Sequence, residues 1–249
     1  MRKLAIDIGN TRTKIGAFDG ETLREQWAKD DCPASTIAEL ARAFGATHFI
    51  VSSVVPVADD FWATLREAGA VLELRTDTPL PFRNAYATPQ TLGKDRLAAV
   101  AGADALFRGK DCMIIDAGTC IKYELYTEGT FRGGNIAPGL RMRTEAMAHY
   151  TARLPEVDTD IPSHYVGDST VTALQNGAFL GAILEVMGFY RMFNLERTRT
   201  EPMQVILTGG DADFLLRYLS FEQQIKEPNL TLIGLNYILD WNIRNIEQQ

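Results

Sequence analysis

Two short stretches of the chain set a carboxylate and a glycine at the end of an apolar run: Ile6-Asp7-Ile8-Gly9-Asn10-Thr11 and Ile115-Asp116-Ala117-Gly118-Thr119. Each leads into a second strand-like segment, residues 14–18 and 121–126, so the recurring unit is strand, glycine turn, returning strand. Such a unit can grip phosphate. The carboxylate orients a hydrated cation, the glycine lets backbone N–H groups approach phosphate oxygens, and the following hydroxyl adds a donor. In the first copy Asn10, Thr11 and Thr13 supply donor groups, and Arg12 and Lys14 supply two cations. Alone, this copy would also pass as an Asn-Gly hairpin turn. The recurrence with the same preceding Ile-Asp argues for two grips on facing half-molecules, clamping a nucleoside triphosphate in a cleft between them.

Gly93-Lys94-Asp95-Arg96 lies between a proline-rich loop and a predicted helix. Two readings compete there. Asp95 is a helix cap with Arg96 merely solvated, or Asp95 accepts a proton from a substrate hydroxyl while Arg96 holds an anionic group. Two glycine-rich stretches follow strands of the second half. Residues 133–140 read as a close-approach turn rather than a regular strand, and Thr208-Gly209-Gly210-Asp211-Ala212 reads as a cradle for a ribose or phosphate. Gly167-Asp168-Ser169-Thr170 opens a long helix with Asp168 or Ser169 as its N-cap, which leaves Thr170 in the first turn with a hydroxyl to offer a carboxylate.

The elements that must position these groups follow from periodicity. Strands are predicted at 3–8, 13–18, 48–51, 71–74, 121–126 and 204–207, with the repeated unit of the second half opening at Cys112, and helices at 34–44, 59–68, 95–107, 140–152, 169–193, 213–219 and 234–246. Strands alternating with helices in both halves predict an α/β fold of two mixed-sheet domains, spanning 1–110 and 111–249. At 249 residues the chain can carry two such cores.

Composition narrows the function. A net charge of −7 argues against a general nucleic-acid partner, which needs clustered Lys and Arg. The three cysteines fit neither a disulfide framework nor a zinc site, and the three histidines form no metal-type pair. No apolar run approaches the roughly 20 residues of a spanning helix, so the expectation is a cytoplasmic protein without a membrane partner.

Taken in order, these residues closely resemble the type III pantothenate kinases, a branch of the acetate and sugar kinase, heat-shock ATPase and actin superfamily. The match runs through Asp-x-Gly-Asn-Thr at 7–11, Gly-x-Asp-Arg at 93–96, Asp-x-Gly-Thr at 116–119, Gly-Gly-x-Ile-x-Pro-Gly at 133–139, Thr170, and Thr-Gly-Gly-Asp-Ala at 208–212. Gly-x-Asp-Arg is the discriminating piece. The resemblance implies duplicated actin-like (ribonuclease H-like) domains and ATP-dependent phosphorylation of pantothenate to 4'-phosphopantothenate, the first step toward coenzyme A. By it, Asp7, Ile8, Gly9, Asn10, Thr11, Arg12, Thr13 and Lys14 bind ATP phosphates with magnesium, and Thr119 contributes from the opposing domain. Asp116 becomes the ligand of a monovalent cation, potassium or ammonium. Asp95 becomes the general base, and Tyr86, Gly93, Lys94, Asp95, Arg96 and Thr170 form the pantothenate site. A homodimer is implied, with that site near its interface. The chain departs from the pattern in two places. Glu124 stands where many members carry aspartate, which would lengthen a cation or water contact there, and Lys94 puts a cation in the variable place beside Asp95. Two rival readings share the fold: an ATP-binding regulatory protein, and a kinase for another small hydroxy acid or sugar.

Overall fold

Continuous burial marks the first strands. In β1 (Arg2–Ile8) and β2 (Thr13–Asp19) nearly every residue is covered, because the hairpin lies inside its sheet with helices on both faces. The computed structural model describes residues 1–30 and 32–246. Within it the chain forms two compact units, one of Met1–Gly109, Gly129–Phe131 and the stretch from Asn229, the other of Lys110–Glu128 and Arg132–Pro228.

In the first unit β1 and β2 are antiparallel, with Asp7 opposite Lys14. β3 (Thr22–Lys29) continues antiparallel beyond β2, while β4 (His48–Ser53) and β5 (Ala70–Glu73) run parallel on the other side of β1, giving the order β3-β2-β1-β4-β5. β3 is missing from the sequence-based expectation. It is an edge strand with mostly exposed, polar side chains, so it carries no apolar period to read. Helices α1 (Ala34–Phe44) and α2 (Asp59–Ala68) fall at the expected residues. α1 starts after Pro33 and ends at Gly45, whose φ of 75° stops the helix. Its Ile37 and Ala41 pack with Leu4, Ile6, Ile15 and Val51 of the sheet, and a fully buried Ile contributes about 1.5–3 kcal/mol.

α3 (Lys94–Leu106) and α8 (Leu230–Ile246) pack closely on one another, and α8 also meets β1 and β4. A side chain on Gly234 would run into the Ala98 carbonyl oxygen, and one on Gly102 into that of Leu230. The glycine that reads as a helix start at 234 therefore lies inside α8, at a crossing. The buried ammonium of Lys3, 1% exposed, meets Asp240 of α8 at 2.5 Å. These contacts place the C-terminal helix in the first unit, whereas the sequence suggested contiguous halves of 1–110 and 111–249. A two-residue strand, β6 (Arg83–Asn84), pairs in parallel with Thr130 and Phe131.

The second unit repeats the topology. β7 (Cys112–Ala117) and β8 (Cys120–Thr127) form the antiparallel hairpin, with Asp116 opposite Lys122. β9 (Thr130–Pro138) lies beyond β8, and β10 (Gln204–Thr208) and β11 (Gln224–Lys226) run parallel beyond β7; the sheet has six strands, β6-β9-β8-β7-β10-β11, and apart from the short β6 at its edge the order reproduces that of the first sheet. Of the stretch 133–140, expected as a turn, residues 133–138 are strand, Gly139 is the N-cap of the next helix and Leu140 begins it. The strand's glycines reflect close approach: a side chain on Gly134 would strike the Tyr123 carbonyl oxygen and lie 2.5 Å from Glu124 Oε2. Glu124 itself is buried in β8. Cys112 is fully buried in β7 and Cys120 half-buried in β8.

Helices α4 (Leu140–Tyr150), α5 (Thr170–Gln175), α6 (Gly181–Leu195) and α7 (Ala212–Leu216) cover this sheet, around a core that includes Ile115, Tyr123, Phe179, Val205 and Leu215. Ser169 is the N-cap of α5 and shares a capping box with Thr172, a device worth about 1 kcal/mol. The single helix expected over 169–193 is interrupted by a π-helical turn at Asn176–Leu180. Contrary to the sequence-based expectation, the segment Thr170–Leu195 is long and apolar enough, by length and composition, to cross a membrane; 33% of its most apolar window is buried.

Candidate active site

The grip of the first unit is the β1–β2 turn. The Gly9 N–H donates to the Arg12 carbonyl at 3.0 Å, which closes the turn and leaves Asn10 and Thr11 exposed at its tip. Ile8 is held from the other side by the Val54 N–H at 3.1 Å. Asp7, the last residue but one of β1, lies between Lys14 and Ser52, its register partners on β2 and β4, and both its Oδ1 and the Ser52 hydroxyl are sequestered from solvent. Arg12 reaches Asp30 at 2.8 Å in an exposed ion pair, an interaction weak enough to exchange for a phosphate. Thr13 is buried within β2.

The same unit holds the segment 86–96. α3 begins at Gly93, which has no side-chain capping bond, and Asp95 stands inside the first turn. Its carboxylate sits where the helix dipole favours negative charge. Arg96, 5% exposed, lays its guanidinium over the ring of Tyr86 at 5.2 Å and that of Phe131 at 5.9 Å. The two rings are parallel, with centroids 6.1 Å apart, and Arg96 also donates to the Tyr86 hydroxyl at 3.4 Å. Of the residues expected to recognise the acceptor, the structure thus brings together Tyr86, Gly93, Lys94, Asp95 and Arg96. Thr170 belongs to the second unit, exposed at the first position of α5.

In the second unit the Gly118 N–H donates to the Cys120 carbonyl at 3.0 Å, and the Gly139 N–H to the Thr119 carbonyl at 3.1 Å. A cavity of about 320 Å³ opens here, lined by Gly118, Thr119, Arg141, Glu145, Gly210 and Asp211 among others. Gly209, with φ of 91°, turns the chain from β10 so closely against Ala117 that a side chain there would collide with the Ala117 carbonyl oxygen. The Asp211 N–H donates to that oxygen at 3.0 Å. Burial raises the pKa of the Asp211 carboxyl, against the opposing pull of Arg141. Arg141 is itself tied to Glu145 at 2.6 Å. The glycine cradle at 208–212 thus shares a cavity with the grip at 118–119.

Asp116 carries Lys122, whose Nζ lies 2.5 Å from Oδ2. The sequence reading did not include Lys122, Phe131, Arg141 or Glu145. The count across the β7–β8 hairpin would have found Lys122, since it faces Asp116 in the antiparallel register. The other three are brought in by packing and leave no local signal.

Two five-stranded arrangements of the same order, each with a carboxylate-glycine turn after its first strand, define the class: the duplicated actin-like fold of sugar kinases and related ATPases. Solved structures agree on that fold. A putative Baf family transcriptional activator from Campylobacter jejuni superposes with a TM-score of 0.63 at 22% identity, covering 97% of this chain and 99% of its own. A ROK hexokinase from Thermus thermophilus gives 0.55 at 15% identity, over 98% of this chain and 100% of its own. The sequence goes further. The type III pantothenate kinase family profile matches residues 3–192, and a type III pantothenate kinase of Cytophaga hutchinsonii is 37% identical over 246 residues, 96% of this chain and 99% of that protein. The chain belongs to the type III pantothenate kinase family.

Proposed function

We propose that the chain transfers the γ-phosphoryl group of ATP to the primary hydroxyl of pantothenate, giving 4'-phosphopantothenate for coenzyme A synthesis. Family membership supplies the reaction; the observation that carries the assignment to residues is the arrangement of Asp95 and Arg96 at the start of α3. Asp95 stands in the first turn of α3 there, and Arg96 is fixed on two aromatic rings. In the proposed mechanism Asp95 orients the acceptor hydroxyl and takes its proton as the oxygen attacks phosphorus. Arg96 and Thr170 hold the far carboxylate of pantothenate, and Tyr86, Gly93 and Lys94 complete its contacts. Residues 7–14 and Thr119 take the ATP phosphates, through turn N–H groups, hydroxyls and the cations Arg12 and Lys14.

Magnesium fits this donor set as an ion carried mainly by the nucleotide. Among the described residues no three His, Cys, Asp or Glu cluster to hold a metal, and magnesium commonly takes one or two carboxylates plus substrate phosphates. Asp7, at the strand end beside the glycine turn, is the carboxylate to hold it; when bound, the ion neutralises charge developing on the phosphates. The donor set at Asp116 does not fit a free monovalent cation in the same way, because its carboxylate already holds the Lys122 ammonium.

We also propose a homodimer in the cytoplasm. Leu184, Met187, Met192 and Leu195 expose apolar surface along α6, which is the unfinished face expected of a subunit interface. The test of function is ADP release with pantothenate and a panel of small alcohols and sugars. Turnover confined to pantothenate supports the assignment. Turnover with another acceptor moves the substrate, and none with any acceptor leaves a nucleotide-binding regulator.

A further inference from the structure

We propose that the ammonium of Lys122 is the resident cation of the second grip, so that phosphoryl transfer by this chain requires no free potassium or ammonium. The inference rests on the kinase reading above. Asp116 and Lys122 are direct cross-strand partners in the β7–β8 hairpin, and the charged atoms are 2.5 Å apart with the side chains only 23% and 20% exposed. The other carboxylate oxygen is crowded as well: a Cβ on Gly209 would lie 2.8 Å from Asp116 Oδ1. Asp116 therefore has the turn after β10 on one oxygen and an ammonium on the other.

The chemistry of the substitution is close. A lysine head has the charge of an ammonium ion and three N–H donors on its nitrogen. Its tether matters more. A group carried on a flexible stem from the neighbouring strand acts at an effective concentration on the order of millimolar, and it is present whatever the salt. A free monovalent ion would have to displace it from a partly buried, charge-assisted bond. Asp116 and Lys122 flank the hairpin turn whose Gly118 and Thr119 line the cavity, so the positive charge of Lys122 serves the grip itself. The first grip has the same register, with Lys14 opposite Asp7. A lysine facing the grip carboxylate is thus part of the duplicated unit, and not an isolated substitution in one strand.

The experiment compares the full chain with Lys122→Ala in chlorides of potassium, ammonium, sodium and tetramethylammonium at constant ionic strength. Wild-type turnover with ATP and pantothenate should differ by no more than about twofold among the salts, the scale of general screening. The Lys122→Ala variant should lose roughly 10- to 150-fold in tetramethylammonium, the worth of one charge-assisted bond, and recover in potassium or ammonium. Thermal melting gives a second reading that needs no catalysis. Wild type should show no potassium-specific rise, whereas the variant should gain one. A wild-type enzyme that works, or gains melting temperature, only with potassium or ammonium overturns the proposal, and this comparison stands even if the variant does not fold. Absence of ADP release in every salt instead removes the kinase reading, and the melting comparison then decides the role of Lys122 by itself.

Discussion

Replacing Arg96 with alanine should separate acceptor binding from nucleotide binding. The guanidinium stacks over Tyr86 and Phe131 at 5.2 and 5.9 Å and is almost fully covered. Each such contact is worth about 0.5–2 kcal/mol depending on desolvation, so the side chain is held in one orientation before substrate arrives. Little rotamer freedom is left to lose on binding, and the bond to the pantothenate carboxylate should show most of its worth. A charge-assisted hydrogen bond of about 1.5–3 kcal/mol corresponds to roughly 10- to 150-fold in the Michaelis constant for pantothenate. The constant for ATP should stay near its wild-type value. Arg96→Lys keeps the charge but not the planar stack and should fall between wild type and alanine. The assay is ADP release at varied pantothenate with saturating ATP, and then the reverse, repeated with the uncharged amide of pantothenate. Wild type should favour the acid over the amide, and Arg96→Ala should not. Equal discrimination in both proteins, or an effect confined to ATP, refutes the assignment of Arg96 to the acceptor carboxylate.

Asp95→Asn keeps the shape of the side chain and loses its basicity, so kcat should drop on the order of 100- to 10,000-fold while titration calorimetry finds both substrates still bound; near-normal turnover would reduce Asp95 to a structural residue. Asp240→Asn strands the buried ammonium of Lys3 and should cost about 3–5 kcal/mol in denaturant unfolding, whereas a loss within experimental scatter would mean that the pair contributes nothing net. Burial raises the carboxyl pKa of Asp211 above its ordinary 3.8, so the folded state binds this proton more tightly than the unfolded chain does. The associated stabilisation is present below pH 3.8 and is lost as pH rises through the higher folded value. Asp211→Asn should therefore melt higher than wild type at neutral pH, with the gap narrowing in acid, and a gap that widens in acid contradicts the sign.

The sequence was legible where burial imposes a period. α1 and α2 occur at the residues their apolar spacing predicts, because each has one face on a sheet. Both carboxylate-glycine hairpin turns were legible because the chain repeats them. β3 was not, being an edge strand whose polar residues face water, and the strand at 130–138 was hidden by glycines that exist to admit a neighbouring backbone. For the site, local order in the chain pointed to Asp95 and Arg96 but not to the ring of Phe131 beneath Arg96. Phe131 lies 35 residues further along, and only strand pairing brings it there. Lys122 was recoverable from hairpin arithmetic alone. Gly234 misled because a glycine inside a helix looks like an end until its crossing partner is known.

The membership of α8 in the first unit has a consequence for biogenesis. The partner of Lys3 lies 237 residues later in the chain, and the helix that packs on α3 begins only at Leu230. During vectorial synthesis the earliest strands emerge without their closing helix, while the second unit, which ends at Pro228, can be complete before it. The half translated first is the half able to finish last. A fragment ending at Gly109 should consequently be a client of chaperones and not an autonomous domain, with the Ala-rich face of α3 uncovered. A permuted gene that places residues 229–246 ahead of Met1 should turn the first unit into a contiguous, independently maturing module.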